Sequence, residues 1–101
     1  MKLNWDCFND TLLAIEELTS PVYNGQNWIY NSIKCHDIVN KVKTKGYTPE
    51  DIINSVAKMK DAGFIIVSSI NNEKVICHEV YDITYSGCAY IRDKINKPNI
   101  K

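Results

Sequence analysis

Two Cys-His dipeptides, Cys35-His36 and Cys77-His78, carry the metal-binding vocabulary of this chain. Two thiolates and two imidazoles suffice for a tetrahedral zinc site. The spacing argues against one. Neighbours in a strand point to opposite faces, so each dipeptide offers one ligand to a given site, whereas zinc motifs separate their ligands by about two to four residues. The expectation is buried cysteines, exposed histidines and no metal or other cofactor. Cys-His catalysis needs a base within hydrogen-bond reach and a group to orient it, and nothing here marks such a pocket. Glu16-Glu17 and Glu50-Asp51 are helix neighbours suited to surface charge and capping, and the glycines form no phosphate loop. No catalytic residue or small-molecule substrate is evident, so the chain reads as a non-enzyme.

A second group of residues suits nucleic acid. Lys34, Lys41, Lys43, Lys45, Lys58 and Lys60 gather in the middle of the sequence, with Lys74 further on. Lysines at such places neutralise phosphate, and Asn54, Ser55 and Lys58 have the chemistry to reach base edges. The candidate nucleic-acid contacts are therefore Lys41, Lys43, Asn54, Ser55, Lys58 and Lys74. Glu50 and Asp51 oppose this, because they would meet phosphate at the start of the same helix. The plain alternative is a solvated lysine face.

Aromatic residues form the third group. Tyr23, Trp28 and Tyr30 crowd a segment too short to bury them internally. Aromatic side chains usually find core before partners, so packing on the first and last helices is expected. The alternative is an exposed patch that closes a homodimer.

The elements that must position these groups are legible from spacing. Residues 5–18 repeat Trp5, Phe8, Leu12 and Ile15 on one helical stripe, and Ser20-Pro21 ends the run. Asn24-Gly25 predicts a hairpin turn or extended loop over residues 22–33. A short strand is expected near Ile33 and Cys35, then a helix over residues 37–45 burying Ile38, Val39 and Val42. In the next helix Thr48 is the N-cap, Pro49 the first helical position, Asp51 sits at N3 and Gly63 closes the helix. Ile52, Ile53, Val56, Ala57 and Met59 should face inward, leaving Glu50, Asn54, Ser55, Lys58 and Asp61 outside. Residues 64–70 and 75–83 read as two strands, a wing joined by Asn71-Asn72-Glu73-Lys74, with Tyr81 and Ile83 sharing a face. Thr84 caps a last helix with the stripe Cys88, Ile91 and Ile95.

Composition bounds the class. The chain of 101 residues is 45% hydrophobic and 24% charged, the balance of one soluble domain. Twelve basic and twelve acidic residues cancel, which speaks against a dedicated non-specific DNA binder. The segment up to Asn27 holds Lys2 against Asp6, Asp10, Glu16 and Glu17, so the remainder carries the basic excess. No apolar run is long enough for a leader or membrane span. Cys7, Cys35, Cys77 and Cys88 lack Cys-x-x-Cys spacing and are expected as reduced thiols in the cytoplasm.

Three stretches then resemble a known family: the opening residues with Ile15-Glu16-Glu17, the junction Ala62-Gly63-Phe64-Ile65, and Thr84-Tyr85-Ser86-Gly87. They look like a small group from Gram-positive bacteria and their phages, catalogued as a domain of unknown function (DUF 2513 type). The similarity covers most of the chain except roughly residues 22–33, which resemble an insertion. Departures are Tyr85 where the family tends to have Trp, Cys88 where it has His, and Asn9 and Asp10 where it has basic residues. The resemblance implies a winged-helix fold and assigns no functional residues.

The expectation is a single α+β domain over residues 1–101, a winged helix-turn-helix with an inserted hairpin or loop. Its expected use is binding double-stranded DNA in regulation. The alternative is a protein-interaction module, by dimerisation or as an adaptor, without DNA affinity. A continuous positive surface favours the first, and an apolar patch at Trp28 the second.

Overall fold

Asn4 starts the first helix by accepting a hydrogen bond from the Cys7 amide at 3.1 Å. The computed structural model describes residues 2–68 and 79–96. Helix α1 (Trp5–Thr19) buries Cys7, Phe8, Thr11, Leu12 and Ile15, close to the expected stripe. Trp5 differs: it lies in the first turn and stays 60% exposed.

After α1 come β1 (Val22–Tyr23) and β2 (Trp28–Ile29), paired antiparallel as an isolated hairpin. Strand β3 (Ile33–Lys34) runs into α2 (Cys35–Val42), so Cys35 opens the helix rather than belonging to the strand. A 3-10 turn (Lys43–Lys45) ends it and α3 (Pro49–Asp61) follows. The Thr48 hydroxyl accepts from the Asp51 amide at 3.1 Å, the expected cap. Gly63 has φ +75°, the left-handed conformation that lets α3 stop and the chain turn into β4 (Ile65–Val67).

Strand β5 (Glu79–Ile83) lies between β3 and β4, antiparallel to both. The register shifts at Val67: Ile66 faces Asp82, but Val67 faces Val80, leaving Tyr81 as an extra residue. This bulge breaks the period of two. Val80 and Ile83 both reach the core while Tyr81 is 43% exposed, so Tyr81 and Ile83 do not share a face as expected.

Helix α4 (Tyr85–Tyr90) continues into a π-helical turn (Ile91–Ile95), closed by the Asn96 amide donating to the Ile91 carbonyl at 2.7 Å. Thr84 serves both ends of the neighbourhood. Its hydroxyl accepts from the Gly87 amide at 3.2 Å and donates to the Gly63 carbonyl at 2.5 Å, while its own amide donates to the Phe64 carbonyl. Gly87 is buried so close to this strand that a Cβ there would collide with the Phe64 carbonyl oxygen. Cys88, expected on the apolar stripe, is exposed; Gly87 and Ile91 hold the inner face instead.

The result is an α+β arrangement of four helices and two small antiparallel sheets. One core unites the helices with the three-stranded sheet, α1 packing on α2, α3 and β5, while the β1-β2 hairpin stays outside it. Among the described residues no helix is long and apolar enough to cross a membrane.

Candidate functional site

The proposed nucleic-acid contacts start from α3. Ile52, Ser55, Val56 and Met59 form its buried face. Ser55 is fully buried and is therefore no base-reading residue. Its hydroxyl donates to the Asp51 carbonyl at 2.9 Å, which satisfies it inside the core. This rotates the expected stripe, leaving Ile53 and Ala57 half-buried. Opposite the buried face, at helical spacing, lie Glu50, Asn54, Ala57 and Asp61. That outer line is acidic at both ends. Lys58 is exposed at its flank.

The remaining lysines are dispersed. Lys41 Nζ stands 3.3 Å from Glu17 Oε1, so its charge is partly answered by α1. Lys43 is exposed on the 3-10 turn. Lys74 and the expected wing tip lie outside the described residues. Thus Lys43, Lys58 and half-buried Asn54 keep the places expected of them, whereas Lys41 has an acidic partner and Ser55 is withdrawn.

Of the cysteine–histidine dipeptides, Cys35-His36 lies among the described residues and its two side chains part at the start of α2. Cys35 is buried at the start of α2, and the exposed His36 ring shares a hydrogen bond with the Asn40 side-chain amide at 3.0 Å. Cys77 and His78 lie outside the described residues. Among the described residues, no three His, Cys, Asp or Glu side chains converge as a metal-ligand set.

The hairpin carries the most unusual surface. Its turn is built by Asn24, whose side-chain oxygen accepts from the Gln26 and Asn27 amides at 3.0 and 2.8 Å. Val22 pairs with Ile29, and Tyr23 with Trp28. Alternate pairs occupy opposite faces of the ribbon, so both faces are apolar. Neither is covered: Trp28 is 71% and Tyr30 75% exposed, and Val22, Tyr23 and Ile29 are about half exposed. The expectation that these rings pack on the first and last helices is therefore overturned. Among the described residues, the Tyr23 and Trp28 rings meet each other at a tilt, with centroids 5.4 Å apart. A side-chain tether joins the segment to α1, from Asn31 Nδ2 to the Leu18 carbonyl at 2.8 Å. The signal was present in the sequence: Val22-Tyr23 and Trp28-Ile29-Tyr30 do not alternate with polar residues, the pattern of a strand covered on both sides.

No protein-family model matches the chain, and no curated protein or solved structure matches it significantly.

Proposed function

We propose that this chain is a winged-helix-type interaction domain whose hairpin closes a homodimer. The sheet order β3-β5-β4, with α2 and α3 between β3 and β4, supports the winged-helix assignment. It agrees with the resemblance to the phage-related family, which belongs to the same proposal, as does a cytoplasmic, non-enzymatic role.

The observation that carries the reading is a ribbon apolar on both faces and bare on both. An isolated two-stranded hairpin is marginal in water. Aromatic side chains bury ~150–250 Å² each, so Tyr23, Trp28 and Tyr30 offer roughly 400 Å² per copy, about half of one side of a standard interface. Val22, Ile29 and the hairpin's unpaired edges extend it. A net charge of zero places no long-range repulsion between two copies.

Sedimentation velocity over a concentration series tests this. A dimer should form in the parent chain and be lost in Trp28→Ser/Tyr30→Ser while circular dichroism stays unchanged. A parent chain that remains monomeric at the highest concentrations sinks the homodimer.

A second reading is favoured by exposed Lys43 and Lys58 around the α2–α3 pair: the domain binds double-stranded DNA. The acidic ends of the outer face of α3 and the Lys41–Glu17 pair weigh against it. Absence of binding at low salt would remove this reading without touching the dimer.

A further inference from the structure

A pocket of about 480 Å³ opens where the start of α1, the end of α3 and α4 meet, and no hairpin residue lines it. Trp5, Phe8, Phe64 and Tyr90 give it aromatic walls, with Lys58 and Asp61 also lining it. The rings form a connected set. Phe8 meets Trp5 edge-on at 5.4 Å and Tyr90 at 5.5 Å, and Phe64 lies 5.1 Å from Tyr90. The Tyr90 hydroxyl is bonded to Asn9 Oδ1 at 2.8 Å, so the proton of that ring is already committed. The partial exposure of Trp5 follows from the same geometry: its ring stands at an open pocket wall instead of in the core.

Two charges complete the site. Lys58 and Asp61 lie one helical turn apart on α3. Neither takes part in the ion pairs Lys41–Glu17 and Arg92–Asp93 seen among the described residues. An adjacent cation and anion thus border an aromatic cavity. The volume lies toward the lower part of the ~300–1,000 Å³ typical of ligand pockets, which suits a small molecule.

From this arrangement we infer that the pocket binds a small aromatic zwitterion of the α-amino-acid type. Phe8 is buried, and the Phe8, Phe64 and Tyr90 rings already pack on one another. The ligand ring therefore lies against the open side of the wall, on Trp5, Phe64 and Tyr90, where edge-to-face packing is favoured. The ligand carboxylate meets the Lys58 ammonium, and its ammonium meets the Asp61 carboxylate. A purely apolar ligand would leave both charges unused, and a ligand with one charge would use only one of them.

The test uses three probes that share an indole ring: L-tryptophan, indole-3-propionate without the ammonium, and tryptamine without the carboxylate. Binding is read by ligand-observed saturation-transfer NMR and calorimetry on the full chain. Tryptophan should bind about two- to fivefold more tightly than either single-charge analogue, the range of a partly exposed ion pair. Lys58→Ala should reduce tryptophan to the affinity of tryptamine and leave tryptamine unchanged. Asp61→Asn should reduce it to that of indole-3-propionate and leave that probe unchanged. Both positions are exposed, so the fold should persist, with circular dichroism as the check. No binding of any probe at millimolar concentration, or equal binding of all three, would overturn the proposal. So would charge variants that shift all probes alike. Because the hairpin is remote in residue content, Trp28→Ser/Tyr30→Ser should bind tryptophan like the parent.

Discussion

The Tyr47 hydroxyl donates to Asp10 Oδ2 at 2.7 Å, tying the approach to α3 onto the middle of α1. The two residues are far apart in sequence, and their bond joins the two helices that dominate the core. The hydrogen bond to Asp10, then partial burial and the negative charges of Asp10 and Asp6, push the Tyr47 phenol up to about 12.

A pH dependence follows from that shift. The folded chain holds the Tyr47 proton above the usual tyrosine value of about 10, so between these values the native state binds more protons than the unfolded state. The contribution is fully present below pH ~10 and is lost as pH rises through about 12. Asp10→Asn should bring Tyr47 ionisation to lower pH, read as tyrosinate absorbance. An unchanged titration curve in that variant would remove the assigned cause.

Gly63 and Gly87 should respond to alanine for different reasons. At Gly63 nothing lies within 4 Å of an added Cβ, so Gly63→Ala costs only the left-handed backbone, about 1–2 kcal/mol. At Gly87 the new methyl meets backbone and the Ile83 side chain, so Gly87→Ala should cost at least as much, about 1–3 kcal/mol, and displace the start of α4 from β4. Urea denaturation ranks the two. A Gly63 variant clearly costlier than the Gly87 variant would contradict this packing.

Caps offer a graded comparison. Thr48→Ala removes one accepted hydrogen bond and should cost about 1 kcal/mol. Thr84→Ala removes an accepted bond and a donated one, so about 1–3 kcal/mol is expected. Thr84→Ser keeps both and should recover most of the loss. Equal costs for the two alanine variants would show that the bond to the Gly63 carbonyl contributes nothing.

DNA, if bound, should sort the lysines. Lys43→Ala and Lys58→Ala should each weaken binding and lower the salt slope by about one unit, whereas Asn54→Ala should blunt site discrimination with little change in slope. Glu50→Gln should strengthen binding by removing charge from the outer face of α3. Ser55→Ala should leave affinity unchanged and cost about 1 kcal/mol of stability, because that hydroxyl is buried. Fluorescence anisotropy at several salt concentrations separates these effects, and a Ser55→Ala loss of discrimination would contradict its placement.

Much of the fold was legible because it rests on local signals. Thr48, Pro49 and Gly63 act through their own backbone, so the bounds of α3 followed from residue types alone. What escaped depends on partners distant in sequence. The bulge at Tyr81 arises because Val67 pairs with Val80 rather than with Tyr81, and it inverts the apparent alternation of β5. Ser55 is polar by type, yet its hydroxyl is satisfied one turn back, which composition does not reveal. Gly87 displaced Cys88 from the inner face because the Phe64 carbonyl leaves no room for a side chain. The candidate lysines were visible as a cluster in sequence, but the partnership of Lys41 with Glu17 required the α1–α2 packing.

The central strand of the three-stranded sheet is also its last in chain order. Ile33 finds its partner only when Val80 has been made. On a ribosome adding ~5–20 residues per second, the first strand therefore waits about 2–10 s, with β4 unpaired for part of that time. Helix α1 precedes this interval and α2 and α3 are made within it, so all three helices are synthesised before their sheet can be completed. The chain accordingly completes its helices before its sheet, with β3 and β4 both waiting as strand templates for β5.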